Sequence, residues 1–124
     1  MRTETVGLFH GVNRPDAPEN LTDLEKMHLP VITAPEEVRP GDCFDVTVEV
    51  GVLLAHPNDR RHFVQHIDLL AGDVFLVRLS LTGQTSLPRM TACLRLEKDL
   101  GPLRAVALCN VHGAWEAERP IRVR

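Results

Sequence analysis

Three short segments of the chain carry side chains able to bind a metal ion or move protons. They read Glu25-Lys26-Met27-His28-Leu29-Pro30, then His56-Pro57 with His62 six positions after the first histidine, then Cys109-Asn110-Val111-His112-Gly113. Imidazole suits iron, zinc, copper and nickel, and a thiolate adds a soft anionic ligand that favours redox-active iron or structural zinc. Each piece alone has a plainer role: a single histidine such as His28 is commonly a surface or hydrogen-bonded residue, and a buried cysteine such as Cys109 packs as a small hydrophobe. Cys-x-x-His at the end of an apolar strand is more specific, because a strand-to-turn transition can aim both side chains at one point.

The elements that must position these residues read mainly as strands. Cys43 to Val50 alternates strictly, with Phe44, Val46, Val48 and Val50 on one face and Asp45, Thr47 and Glu49 on the other, after a Pro40-Gly41-Asp42 turn. Val74 to Leu81, Thr91 to Leu96, Arg104 to Cys109 and Ile121 to Arg124 are further β-type runs, divided by Gly72-Asp73, Gly83-Gln84, Pro88 and Gly101-Pro102. His62 to Leu70 fits a helix about as well as a strand. Thr22-Asp23-Leu24-Glu25 has the spacing of a helix capping box. Residues 1–20, with Gly7, Gly11, Pro15 and Pro18, read as an irregular N-terminal arm ahead of a domain over 21–124. Short strands with no long helical pattern between them point to an antiparallel sandwich or barrel.

Composition bounds the function. The chain has 124 residues, 44% of them hydrophobic and 25% charged, which suits one soluble globular domain. A formal charge of −3 argues against nucleic-acid binding, which needs a basic face. No apolar run approaches the length of a membrane span, and the polar, Pro-rich start lacks a signal-peptide core, so the expected location is cytoplasmic with no membrane partner. Cys43, Cys93 and Cys109 lie far apart, with no Cys-x-x-Cys spacing, so a four-cysteine centre cannot form within one chain.

Taken together and in this order, the three segments resemble the superoxide reductase family, the neelaredoxins and the iron-site domain of desulfoferrodoxins. The family pattern runs Glu-Lys-His-x-Pro, then His-Pro with a second His six positions after the first, then Cys-Asn-x-His-Gly-x-Trp. The last reads here Cys109-Asn110-Val111-His112-Gly113-Ala114-Trp115. The resemblance, over residues 21–118, implies an all-β, immunoglobulin-like antiparallel β-sandwich holding one iron per chain. It implies His28, His56, His62 and His112 as four equatorial nitrogens, Cys109 as the axial sulfur, and an open sixth position. It further implies one-electron reduction of superoxide to hydrogen peroxide, with electrons from an external rubredoxin-like donor, and a homo-oligomer. Four neutral imidazoles and one thiolate leave ferrous iron with a net charge of about +1, which attracts an anionic oxidant. No cysteine precedes Cys43, so the chain resembles the one-iron type.

The sequence departs from the family at one ligand. A lysine directly precedes the first histidine in the family pattern, whereas Met27 separates Lys26 from His28 here. Either the loop absorbs one extra residue and Lys26 still reaches the open face, or Met27 takes the lysine position and positive potential comes from elsewhere, such as Arg60 and Arg61. Glu25 matches the family glutamate that closes the sixth position in the oxidised state. His66 is expected beside the site or at the surface, Trp115 against the His112 loop, and His10, Cys43 and Cys93 match no motif. Two other functions compete: a non-catalytic sandwich module whose Cys/His set holds a structural iron or zinc, and a related iron site serving another small oxidant. A closed zinc site uses four ligands in a tetrahedron, and five candidates favour the enzyme.

Overall fold

The computed structural model describes residues 11–124, so His10 and the first half of the arm lie outside the described residues. One helix, α1 (Asp23–His28), precedes nine strands: β1 (Val31–Thr33), β2 (Glu37–Val38), β3 (Cys43–Glu49), β4 (Val64–Ala71), β5 (Val74–Ser80), β6 (Arg89–Arg95), β7 (Leu103–Cys109), β8 (Gly113–Arg119) and β9 (Arg122–Val123). A three-stranded antiparallel sheet ordered β1-β3-β6 faces a four-stranded antiparallel sheet ordered β5-β4-β7-β8, and β2 pairs with β9 in a short parallel ribbon. This is the expected immunoglobulin-like β-sandwich.

The alternating residues of β3 explain the packing. Phe44, Val46, Val48 and Val50 are buried and meet Ile67, Leu69, Leu103, Ala105 and Ala107 of the facing sheet in one core. Period-two burial in β3 and β7 fixes their register, since a one-residue slip would turn each apolar set into water. The ambiguous segment after His62 is a strand. A register shift between Val64 and His66, where β4 pairs with β7, puts the inward residues Val64 and Ile67 three apart, which imitates helical spacing in the sequence. Strand β8 gave no sequence signal because its Ala and Glu residues are poor strand formers, yet it pairs with β7 along its whole length.

The capping box is present: the Thr22 hydroxyl accepts from the Glu25 N–H at 3.2 Å, and the Glu25 carboxylate accepts from the Thr22 N–H at 2.8 Å. Among the described residues of the arm, Asn13 bridges to Trp115 on β8, with Asn13 N–H donating to Ala114 O at 2.8 Å and Glu116 N–H to Asn13 O at 3.0 Å. The arm thereby covers an edge strand that would otherwise offer free backbone groups.

Glu116 anchors that edge. It is 4% exposed and receives Arg104 at 2.8 Å and Arg14 at 3.1 and 3.2 Å. Burial pushes its carboxyl up, but the hydrogen bonds and charges of Arg104 and Arg14 outweigh this and hold it below its ordinary 4.5. Its contribution to stability is therefore full above that value and is lost as pH falls through the lowered folded value. Glu116→Gln should lower stability by about 2 kcal/mol at neutral pH, because it leaves a half-buried Arg104 short of a counter-charge. Urea unfolding of both proteins at pH 7 and pH 3.5 checks this; the gap should narrow at the lower pH.

Candidate metal centre

Three connections at one end of the sandwich carry the candidate ligands. His28 is the last residue of α1, His56 and His62 lie on the long β3–β4 loop, and Cys109 and His112 flank the tight β7–β8 turn. Gly113, with φ +81°, completes that turn and sends the chain back into β8.

The four imidazoles form a ring. Successive centroids of His28, His56, His62 and His112 are 4.7, 4.9, 5.0 and 4.9 Å apart around the cycle, and the His28–His62 diagonal is 6.3 Å. Neighbouring rings are steeply inclined, at 57–85°, while His28 and His62 across the diagonal are within 28° of parallel. A metal–nitrogen bond of about 2.1 Å, plus roughly 1.1 Å from nitrogen to ring centre, would put opposite centres about 6.4 Å and neighbours about 4.5 Å apart. The observed square fits four nitrogens aimed at one ion.

The donor atoms agree. Nε2 of His28, His56 and His62 and Nδ1 of His112 are buried and have no hydrogen-bond partner. The other nitrogens of two rings are occupied: Nδ1 of His28 donates to Leu24 O at 2.7 Å and Nδ1 of His56 to Pro57 O at 2.6 Å. A carbonyl only accepts, so in both rings the proton sits on Nδ1 and the lone pair on Nε2 points into the ring of histidines. Donor atoms of His28, His62, Cys109 and His112 all lie within 4.8 Å of one another. His56 is not in that tighter set and joins through its ring contacts and its orphaned Nε2.

Electrostatics favour neutral, ligating imidazoles. Burial lowers His28 to about 4, against a favourable bond to Leu24 and with the other imidazoles adding to the shift, and burial likewise lowers His56 and His112. Burial raises the Cys109 thiol, opposed by the N–H groups of His112, at 3.4 Å from Sγ, and Val111. A cation would reverse that sign and hold the sulfur as thiolate. Unpaired buried nitrogens beside a buried sulfur are costly without such an ion, so the residues present fit a soft-tolerant transition metal.

Other sequence candidates sit around this cluster. Trp115 stacks on His28 with centroids 4.9 Å apart and donates Nε1–H to His112 O at 3.1 Å, packing against the His112 loop as expected. His66 lies on β4 facing Asp68, with Nδ1 4.0 Å from its carboxylate, outside the cluster. Glu25 is buried, but its carboxylate is engaged in the capping box rather than among the nitrogens. The extra residue at Met27 is not extruded as a bulge: α1 is continuous through His28, so Lys26, two positions back, leaves the helix about 200° away from His28. Lys26 and Met27 are half-buried, and Arg60 and Arg61 are exposed.

Sequence reading missed two residues that position the candidate ligand His62. Asn110 grips the chain on both sides of His62: its Oδ1 accepts from Phe63 N–H at 2.9 Å and its Nδ2 donates to Arg61 O at 2.9 Å. Asp59 Oδ1 accepts from the N–H groups of Arg61 and His62 at 2.9 and 3.0 Å, closing the turn into His62. Asn110 stood inside a quoted motif, and only its two-sided contact reveals its purpose.

His56→Ala and His62→Ala should each weaken metal retention in chelator competition, while His66→Ala should leave metal content near wild type. Loss of metal from the His66 variant alone would remove His62 from the cluster's function. Asn110→Ala should stay folded yet hold metal roughly 10-fold less tightly, in the range expected when a ligand's support is lost.

The chain is similar to known proteins along most of its length. The family described as desulfoferrodoxin matches residues 20–118. The neelaredoxin-type superoxide reductase from Ignicoccus hospitalis is 35% identical, with 91% of this chain and 95% of that chain covered and a TM-score of 0.78. The superoxide reductase of Pyrococcus horikoshii is 35% identical over 100 residues, 73% of this chain and 84% of that protein. A desulfoferrodoxin of Syntrophotalea carbinolica is 36% identical over 102 residues, 81% of this chain and 69% of that protein. With the family pattern matched over most of its length and its histidine and cysteine donors gathered at one end of the same sandwich, this chain belongs to the superoxide reductase family.

Proposed function

We propose that this chain is a superoxide reductase, an oxidoreductase that reduces superoxide to hydrogen peroxide at one non-haem iron per chain. The observation that carries the reading is the square of four orphaned imidazole nitrogens with the Cys109 sulfur beside it. His28, His56, His62 and His112 would hold the iron through nitrogen and Cys109 through sulfur. When bound, the iron supplies a one-electron redox change and attracts an anionic oxidant. The family and the His/Cys cluster imply an iron centre.

The chain's own residues supply the rest. The hydrogen bonds from His28 and His56 to backbone carbonyls hold both rings in the ligating tautomer, and Trp115 stacks over one face of His28 and shields it from water. The Cys109 sulfur, receiving the His112 N–H, is held as an anion once a cation is near. Glu25 is the proposed sixth-position carboxylate, and reaching it requires releasing the capping box. Lys26 is the proposed cation drawing superoxide inward, acting by long-range attraction since the helix turns it away from His28.

An external rubredoxin-like donor would re-reduce the site. Val111, 44% exposed beside His112, and Val52, Leu53 and Leu54 on the loop leading to His56 give such a donor an apolar rim to dock on. A homo-oligomer and a cytoplasmic location belong to the same proposal. No described helix is long and apolar enough to cross a membrane.

Metal analysis with the visible spectrum of the oxidised protein tests the ligand set: Cys109→Ser should abolish the thiolate-to-iron charge-transfer band and most superoxide reduction while the far-UV spectrum is retained. An unaltered band would take Cys109 out of the coordination shell. For Lys26, stopped-flow mixing with superoxide at low and moderate salt should show Lys26→Ala slower, with a flatter ionic-strength dependence. A silent Lys26→Ala variant together with a faster Met27→Lys variant would move the role to position 27.

A further inference from the structure

Away from the metal cluster, the fold brings the other two cysteines together. Cys43 opens β3 and Cys93 lies in β6, with Cys43 opposite Arg95 and Cys93 opposite Asp45. The offset of two makes the cysteines diagonal neighbours on one face of the sheet, both exposed. The pair is remote from the iron ligands: β3 runs about 20 Å from Cys43 before the loop that carries His56 and His62 begins.

We propose that Cys43 and Cys93 form a second redox site, a dithiol that hydrogen peroxide oxidises reversibly to an intramolecular disulfide. Hydrogen peroxide is the product of the reaction proposed above, and the inference rests on that reading only for the source of the oxidant. The Cys43 sulfur attacks one peroxide oxygen; an S–O bond forms, the O–O bond breaks, and hydroxide leaves to become water. The Cys93 sulfur then displaces the hydroxyl from Cys43; an S–S bond forms, the S–O bond breaks, and a second water leaves with the Cys93 proton. Each sulfur gives one electron, and the two peroxide oxygens end as two waters.

The geometry assigns the order. Cys93 lies directly opposite Asp45 and diagonal to Cys43, and desolvation, with both neighbours adding, pushes its thiol up, which disfavours the thiolate that would attack peroxide, so Cys93 enters second. Diagonal partners start with Cα atoms about 7–8 Å apart, beyond the about 4.4–6.8 Å that a disulfide spans, so closure requires one strand end to slide. Cys43 provides that end, as the first residue of β3 directly after the Gly41 turn, whose φ is +83°. A bond closed against the register of the sheet is readily reduced again, which makes the site reversible.

Peptide mass analysis of metal-loaded protein treated with a few equivalents of hydrogen peroxide, then alkylated, tests this. Expected is one peptide pair linked through Cys43 and Cys93, two hydrogens lighter than its free halves and released by a thiol reductant. It should be absent from Cys43→Ser and Cys93→Ser, whose iron content and superoxide reduction stay at wild type, and a sulfenic acid probe should label Cys43 in Cys93→Ser. Because peroxide is added, the result is independent of whether the chain reduces superoxide, and Cys109→Ser, with only these two thiols, should form the same link. Oxygen addition to single cysteines without a link, disulfides between chains, or two thiols left free would each overturn the proposal.

Discussion

Four imidazole lone pairs buried at one point without a partner are the constraint around which this molecule is arranged. In a low-dielectric pocket each such nitrogen is unfavourable unless it meets a proton donor or a cation. Protonation is no remedy, because burial and the nearby rings already drive His28 down to about 4. Convergence of neutral donors is thus a strained arrangement that a metal ion relieves, and the surrounding framework must hold it open.

The sandwich supplies that framework through paired strands rather than through the ligands themselves. Strands β4 and β7, adjacent in the sheet, deliver the His62 segment and Cys109 to the same end, and the register shift at Val64 and His66 adjusts their approach. Asn110 then fastens the β3–β4 loop to the β7–β8 turn from both sides of His62. The third element, α1, is only six residues long and depends on its capping box and on the stacking of His28 over Trp115. Since Trp115 is bridged by Asn13 and followed by Glu116 with its two arginines, the N-terminal arm and the iron end share one edge strand.

The same sheet architecture separates two sulfur chemistries. Cys109 is buried among nitrogens at one end, where a cation would hold it as a thiolate. Cys43 and Cys93 stand on a solvent face of the other sheet, where peroxide and reductants reach them directly. Strand length, separate sheets and opposite burial keep the two apart.

The sequence by itself determined the donor types, their grouping into three segments, the family, and most of the strands, because strict alternation in Cys43 to Val50 and the spacing of His56-Pro57 to His62 are local properties. The capping box was equally legible, since all its atoms lie within four residues. Only the tertiary structure decided that β8 is a strand, because pairing with β7 overrides the weak β-preference of Ala and Glu, and that the segment after His62 is one too, because a bulge disguised its period. The square of rings, the clamp of Asn110, and the meeting of Cys43 with Cys93 fifty residues on in the chain were likewise settled by tertiary structure. Each depends on how distant segments pack and pair, which no single segment encodes.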